Sequence, residues 1–184
     1  MTSYPTTRFV AFLRAINVGG RRVKMDRLRE IFRGLGFSSV ETFIASGNVI
    51  FDAPEGDVLE PKIETRLREA LGYEVATFVR SVGELARVAS YNPFGPLEPE
   101  DGFTLSVAFL AQAPDEDGVA RLMARETEID AFRVEGREVY WLCRGRISDS
   151  AFSGAILERT VGAPATVRNV TTIRKLAAKY PPVG

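Results

Sequence analysis

The sequence predicts an α+β protein made of two βαββαβ halves in tandem, each with an antiparallel sheet and a trailing helix. Three observations carry this expectation. The order strand-helix-strand-strand-helix-strand, then one more helix, is read twice along the 184 residues. Val10-Ala11-Phe12-Leu13 returns letter for letter as Val107-Ala108-Phe109-Leu110. "VRSVGELARVASYNP" (79–93) aligns with "VRNVTTIRKLAAKYP" (167–181), with Val, Arg, Val, Ala and Pro identical. Two matches at the same place in the same element order point to an internal duplication of the ferredoxin-like split motif. The halves are expected at residues 1–92 and 93–184, joined through "NPFGPLEPEDG", whose three prolines read as a linker.

Each element has a local reason. "RFVAFLRAI" (8–16) is short, branched and aromatic, hence a strand. Its alternation sets Phe9, Ala11, Leu13 and Ala15 on one face and Val10, Phe12 and Ile16 on the other. "MDRLREIFRGLG" repeats Leu28, Ile31, Phe32 and Leu35 at helical spacing, with Gly36 as a stop. "SVETFIAS" and "NVIFDA" are strands around Gly47. "GDVLEPKIETRLREALG" is a helix expected to begin near Pro61, with Ile63, Leu67 and Leu71 on one side. "YEVATFVR" is a strand, and "SVGELARVASY" a short helix with Ser81 as its N-cap. The second half repeats this order. "FTLSVAFLAQ" is a strand, "DEDGVARLMARE" a helix, and "IDAFRVE" with "REVYWLCR" a hairpin around Gly136. "SDSAFSGAILERTVG" (148–162) reads as a helix, "PATVR" as a strand and "NVTTIRKLAAKY" as the last helix. Strands apolar on both sides are buried on both faces, so each sheet needs a cover beyond its own two helices. The partner half, the trailing helices or a second copy in a homodimer could supply it.

Composition removes several function classes. Lys plus Arg and Asp plus Glu balance at 24 each, which argues against a general nucleic-acid coat protein. No apolar run approaches the roughly 18 residues that span a bilayer, and no membrane partner is expected. "MTSYPTTRF" lacks the pattern of a signal peptide, so a cytoplasmic location is expected. With no histidine, a histidine base is excluded; with one cysteine, Cys143 in "VYWLC", so are internal disulfides and Cys/His zinc sites. No cofactor and no metal are expected. An enzyme would have to work with Lys, Arg, Ser and carboxylates, and no pair of these is spaced persuasively. Asp115-Glu116-Asp117 suits the first turn of a helix, whose dipole favours acids. Tyr140 and Trp141, beside Phe132, suit core packing better than a base-stacking platform.

One place is chemically dense. In a βαββαβ unit the first and third strands are antiparallel neighbours, so the end of one lies beside the start of the other. That brings Arg14, Asn17, Gly19 and Gly20 to the same rim as Ser46 and Asn48. The glycines free the backbone to turn N–H groups inward, Arg14 supplies a bidentate fork, and Ser46 and Asn48 add neutral donors. Residues 8–33 hold eight Arg/Lys against two acids, a positive local field. The plainer alternative is a sharp Gly-Gly turn capped by Asn17, with Arg22 and Lys24 in water. "NVGG" is neither a Walker loop nor a dinucleotide fingerprint, and Asp26 at the helix start would repel an anion there. A second candidate is "VRNVTTIRK" (167–175). There Asn169 caps the last helix, Thr172 falls near its third position, and Arg168 and Lys175 lie close by. Residues 98–130 carry nine acids and two arginines, so the neutral total conceals a polar molecule.

"VAFLRAINVGG", "VKMDRLREIFRGLGF", "VETFIASGNVIF" and "TVRNVTTIRKLAA", in that order, resemble the bacterial domain of unknown function 1697 family. Val170 stands where that family usually has an aromatic residue. The resemblance implies a two-part α+β fold and a cytoplasmic protein, and supplies no activity. The residues favour a protein that binds a phosphate-bearing ligand, a small nucleotide or an RNA, at the glycine rim. The alternative is a protein-interaction or self-association module with no small-molecule ligand.

Overall fold

The computed structural model describes residues 4–17, 19–44, 47–98 and 101–184. It forms two compact units: Met1–Ala86 with Leu176–Gly184, and Arg87–Lys175. Among the described residues there are two four-stranded antiparallel sheets and six α-helices.

The first sheet contains β1 (Thr6–Leu13), β2 (Ser38–Thr42), β3 (Asn48–Pro54) and β4 (Thr77–Ser81), in the order β2-β3-β1-β4. Helix α1 (Met25–Arg33) links β1 to β2, and α2 (Leu59–Leu71) links β3 to β4. The alternation of β1 and β3 sends Ala11, Leu13, Val49, Phe51 and Ala53 into one cluster with Leu28, Ile31 and Phe32 of α1 and Leu59, Ile63 and Leu67 of α2. Phe37 stacks on Phe51 with centroids 4.5 Å apart. Each buried Val, Leu, Ile or Phe among them contributes about 1.5–3 kcal/mol on leaving water. The opposite face holds Val10, Phe12, Ile50 and Phe78, all buried, as strands apolar on both sides require. The trailing helix α3 (Val82–Ser90) starts directly after β4. Ser81 caps it as expected: its Oγ accepts from Glu84 N at 3.1 Å, while its own N–H donates to Glu84 Oε2 at 2.8 Å.

The second sheet repeats the arrangement with β5 (Phe103–Leu110), β6 (Asp130–Glu135), β7 (Glu138–Arg144) and β8 (Ala165–Asn169), in the order β6-β7-β5-β8. Helices α4 (Glu116–Met123) and α5 (Gly154–Val161) are the connections, and α6 (Val170–Lys179) trails. Ala108, Leu110, Val139, Trp141 and Cys143 pack with Leu122 and Leu157. Part of the other face is covered within the unit, where Leu105, Ala131 and Leu142 meet Val170, Phe94 and Leu97.

Three local expectations change. The helix expected over 148–162 begins only at Gly154, after a single 3-10 turn at Ile147–Asp149. Ser153 is the cap, accepting from Ile156 N, and Ser150 spends its hydroxyl on Asp130 and on Phe152 N instead of on a helix. The helix expected near Pro61 begins at Leu59, which leaves Pro61 in the first turn, where its missing N–H costs nothing. Strand β1 stops at Leu13. Ala15 then takes φ 52°, and this reversal returns Ile16 to the helix-side core, not to the face that simple alternation gave it.

Candidate functional site

The rim begins where β1 ends. Leu13 N donates to Gly47 O at 2.8 Å, and Arg14 N donates to Ala76 O at 2.9 Å, so the outgoing chain is held from both sides. Gly47 is at φ 77°, and a Cβ there would lie 3.0 Å from Ile16 Cγ2 and 3.1 Å from Leu13 Cβ. Only a residue with no side chain lets Ile16 fold back so closely.

The loop from Arg14 to Lys24 is pinned at its ends. Ile16 and Val23 insert into the core cluster. Asn17 Oδ1 accepts from Val23 N at 2.9 Å, which closes the loop across its neck. Tyr73 donates its hydroxyl to Ile16 O at 3.3 Å, and the Arg21 guanidinium lies 4.2 Å from the Tyr73 ring centroid. Between these anchors Gly19 and Gly20 are exposed, at φ 69° and 80°, with no atom within 4 Å of where a Cβ would be. Arg14, Arg22 and Lys24, in the same loop, are exposed.

The loop leads straight into α1. Lys24 is its N-cap in extended conformation, and no side chain caps the helix among the described residues. The first-turn N–H groups and the positive end of the helix therefore sit beside the basic loop. Asp26, expected to repel an anion there, is engaged by Arg29, whose other nitrogen donates to Thr42 Oγ1 at 2.6 Å.

The expected donors therefore divide. Arg14, Gly19 and Gly20 are each exposed at the surface. Asn17 is exposed, with its carbonyl oxygen committed to the loop neck. Asn48 is buried at 1 % exposure and ties the β2–β3 hairpin: its Nδ2 donates to Phe43 O at 2.9 Å, and Phe43 N donates to Asn48 O at 3.0 Å. Ser46 lies outside the described residues. Tyr73, Arg21 and Arg29 were not among the expected participants. Tyr73 is far from the loop in sequence and reaches it only because β4 lies beside β1.

The second candidate set lies on the other unit. Asn169 caps α6 as expected, its Oδ1 accepting from Thr171 N at 2.8 Å. Arg168 turns back along its own strand, donating to Thr166 Oγ1 at 2.7 Å and to Val167 O at 3.0 Å. Burial pushes its pKa down to about 10. Arg80, at the matching place in the first unit, also donates to the preceding carbonyl, Val79 O, at 2.9 Å and is 1 % exposed. Thr172 is half-buried and Lys175 exposed.

Among the described residues no cluster of Cys, Asp and Glu could hold a metal ion. Asp115 caps α4 by accepting from Gly118 N at 2.6 Å. Cys143 is buried, which raises its thiol pKa, with Asp130 and Asp149 adding to the shift. Trp141 is a core residue whose Nε1 donates to Asp130 Oδ1 at 2.8 Å. No helix is long and apolar enough to cross a membrane among the described residues.

A conserved bacterial protein from Streptococcus pneumoniae has the same fold, with a TM-score of 0.72 over 95% of this chain and 98% of that one at 22% identity. No curated protein matches the sequence. The model for the family described as "Protein of unknown function (DUF1697)" matches residues 6–140, which hold the whole first sheet and the basic loop, and the chain belongs to that family.

Proposed function

We propose that this protein binds a phosphate-bearing ligand, a nucleotide or an RNA, at the loop from Arg14 to Lys24. The observation that carries the reading is the open Gly19-Gly20 tip, held between fixed anchors, in a loop that also carries the exposed Arg14, Arg22 and Lys24 and runs into a helix start that no side chain caps. Anchors at Ile16, Asn17, Val23 and Tyr73 reduce the ordering cost of binding, because the cradle is formed before the ligand arrives. Backbone N–H groups and guanidinium forks together suit a phosphate better than an apolar ligand. On this reading the two halves are copies of one unit, and the first carries the site.

The test is thermal unfolding at low salt with inorganic phosphate, nucleotides and short RNA, run in parallel on Arg14→Ala. A ligand at about 100 times its Kd adds roughly 2.7 kcal/mol, or about 5–10 °C for a chain of this size. The parent should shift, and Arg14→Ala, with an unchanged circular dichroism spectrum, should lose most of that shift. No shift with any of these ligands, together with a tight dimer in sedimentation, would replace the reading with self-association.

A further inference from the structure

The second unit carries a cleft of its own, apart from the basic loop. Helices α4 and α5 approach closely at Gly118, where a Cβ would sit 2.9 Å from Asp115 Oδ1 and 3.4 Å from Val161 O. Beyond that contact a groove of about 430 Å³ opens, lined by Arg121 and Arg125 from the α4 side and Arg159 from α5. It shares Ala124 and Arg125 with an adjoining hollow of about 310 Å³ that includes Phe152 and Ile156. One end of the cleft therefore carries three arginines, and the other sets Phe152 and Ile156 beside the carboxylates of Glu126 and Asp130.

The polar groups along it are already satisfied, except for the arginines. Glu126 Oε1 accepts from Phe132 N at 3.0 Å and from Arg133 Nη1 at 3.1 Å. Asp130 takes Trp141 Nε1 at 2.8 Å on one oxygen and Ser150 Oγ at 2.7 Å on the other. Thr127 Oγ1 accepts from Asp130 N, and Thr160 Oγ1 donates to Ile156 O. Arg121 fixes its Nε on Thr160 O at 2.9 Å, which leaves its two terminal nitrogens to donate. Among the described residues, Arg125 and Arg159 have no ion-pair partner. The acidic stretch 98–130 holds two arginines in all, Arg121 and Arg125, and both line this groove together with Arg159. Three guanidinium groups around one groove exceed the charge a carboxylate neutralises and match a dianionic phosphate.

We infer that the α4–α5 cleft is a second ligand site, for a small molecule with an aromatic or apolar body and a phosphate group. The phosphate sits among Arg121, Arg125 and Arg159, and the body rests on Phe152 and Ile156. The inference does not rest on the basic loop of the first unit.

The chain has one tryptophan, and Trp141 meets Phe152 edge-on at 5.1 Å, directly behind the apolar end. Its fluorescence therefore reports occupancy of this cleft. The experiment titrates the full chain with phenyl phosphate, with benzoate, benzyl alcohol and inorganic phosphate as separate arms, and repeats it on Arg125→Ala/Arg159→Ala and on Arg159→Lys. A saturable change with phenyl phosphate is expected, at a Kd near the millimolar range usual for so small a ligand. The double variant should weaken it at least about tenfold, as loss of 1.4 kcal/mol or more would, with Arg159→Lys between the two. Arg14→Ala should titrate like the parent. Absence of a saturable change, equal binding by the double variant with its fold intact, or equal binding of benzoate would overturn the inference.

Discussion

The same four residues, Val-Ala-Phe-Leu, end the first strand of each sheet, and the two units part company one residue later. In both units the last leucine of the strand donates to the same carbonyl position: Leu13 N to Gly47 O at 2.8 Å, and Leu110 N to Arg137 O at 2.9 Å. Asn48 and Glu138 face Phe12 and Phe109 in matching register. In the first unit the chain then turns back through Ala15 at φ 52°, presses Ile16 against Gly47 and makes the long basic loop before α1. In the second unit it passes through 111–115 to Asp115, which caps α4 at once. The sheet skeleton is fixed by its two buried faces, and the connection at its end is free to differ. A glycine is needed where the loop folds back, and an arginine fits where it does not.

That contrast can be broken by mutation. Gly47→Ala puts a side chain into Ile16 and Leu13 at positive φ and should cost roughly 2–5 kcal/mol, the sum of overpacking and left-handed strain. Arg137→Ala at the equivalent place should stay within about 1 kcal/mol. Urea unfolding of both variants checks the difference, and equal costs would mean the loop return is not what demands a glycine.

The trailing helices sharpen the other side of the comparison, where the units agree. Ser81→Ala and Asn169→Ala should each cost about 1 kcal/mol by the same method. Ser81 should be the costlier, since its hydroxyl is one half of a capping box in which Ser81 N–H also donates to Glu84 Oε2.

The smallest effect concerns β1 and β3 of the first sheet. Arg8 holds Asp52 with two bonds, Nε to Oδ1 at 2.8 Å and Nη2 to Oδ2 at 3.0 Å, and this keeps the Asp52 carboxyl below its usual range. A carboxyl whose folded pKa is lowered contributes stability that is fully present above its unfolded value of about 3.9 and is lost as pH falls through the folded value. Thermal unfolding between neutral and acid pH should show this loss in the parent and a smaller one in Asp52→Asn. The pair is partly exposed, so the difference should be modest and should shrink with salt.

Most of the architecture was legible because apolar spacing sets it. Leu28, Ile31 and Phe32 announce α1, the alternation of β1 and β3 announces the sheet, and the repeated tetrapeptide gives the order of both halves. The site was legible only in outline. That Arg14, Gly19 and Gly20 stand just past the end of β1 follows from the apolar run that makes the strand, which the sequence carries. Asn48 could not be told from a surface donor, because a buried asparagine tying a hairpin and an exposed one facing a ligand are written with the same letter. Ile16 was assigned to the wrong face because a single residue at positive φ reverses an alternation that pattern reading takes as continuous. Tyr73 and Arg21 meet through strand pairing and a loop path that no local pattern specifies.

The central claim is that the end of the first strand carries a phosphate-binding loop in the first unit and has no equivalent at 111–115 of the second. Backbone amide NMR of the full chain, titrated with a nucleotide monophosphate at low salt, tests it most directly. The account predicts that, of the two strand ends, only the first responds: Gly19, Gly20 and the first residues of α1 shift, residues 111–115 stay unmoved, and Arg14→Ala suppresses the response of the loop while leaving that of the α4–α5 cleft. Changes absent from the loop, or no larger there than at 111–115, would contradict it.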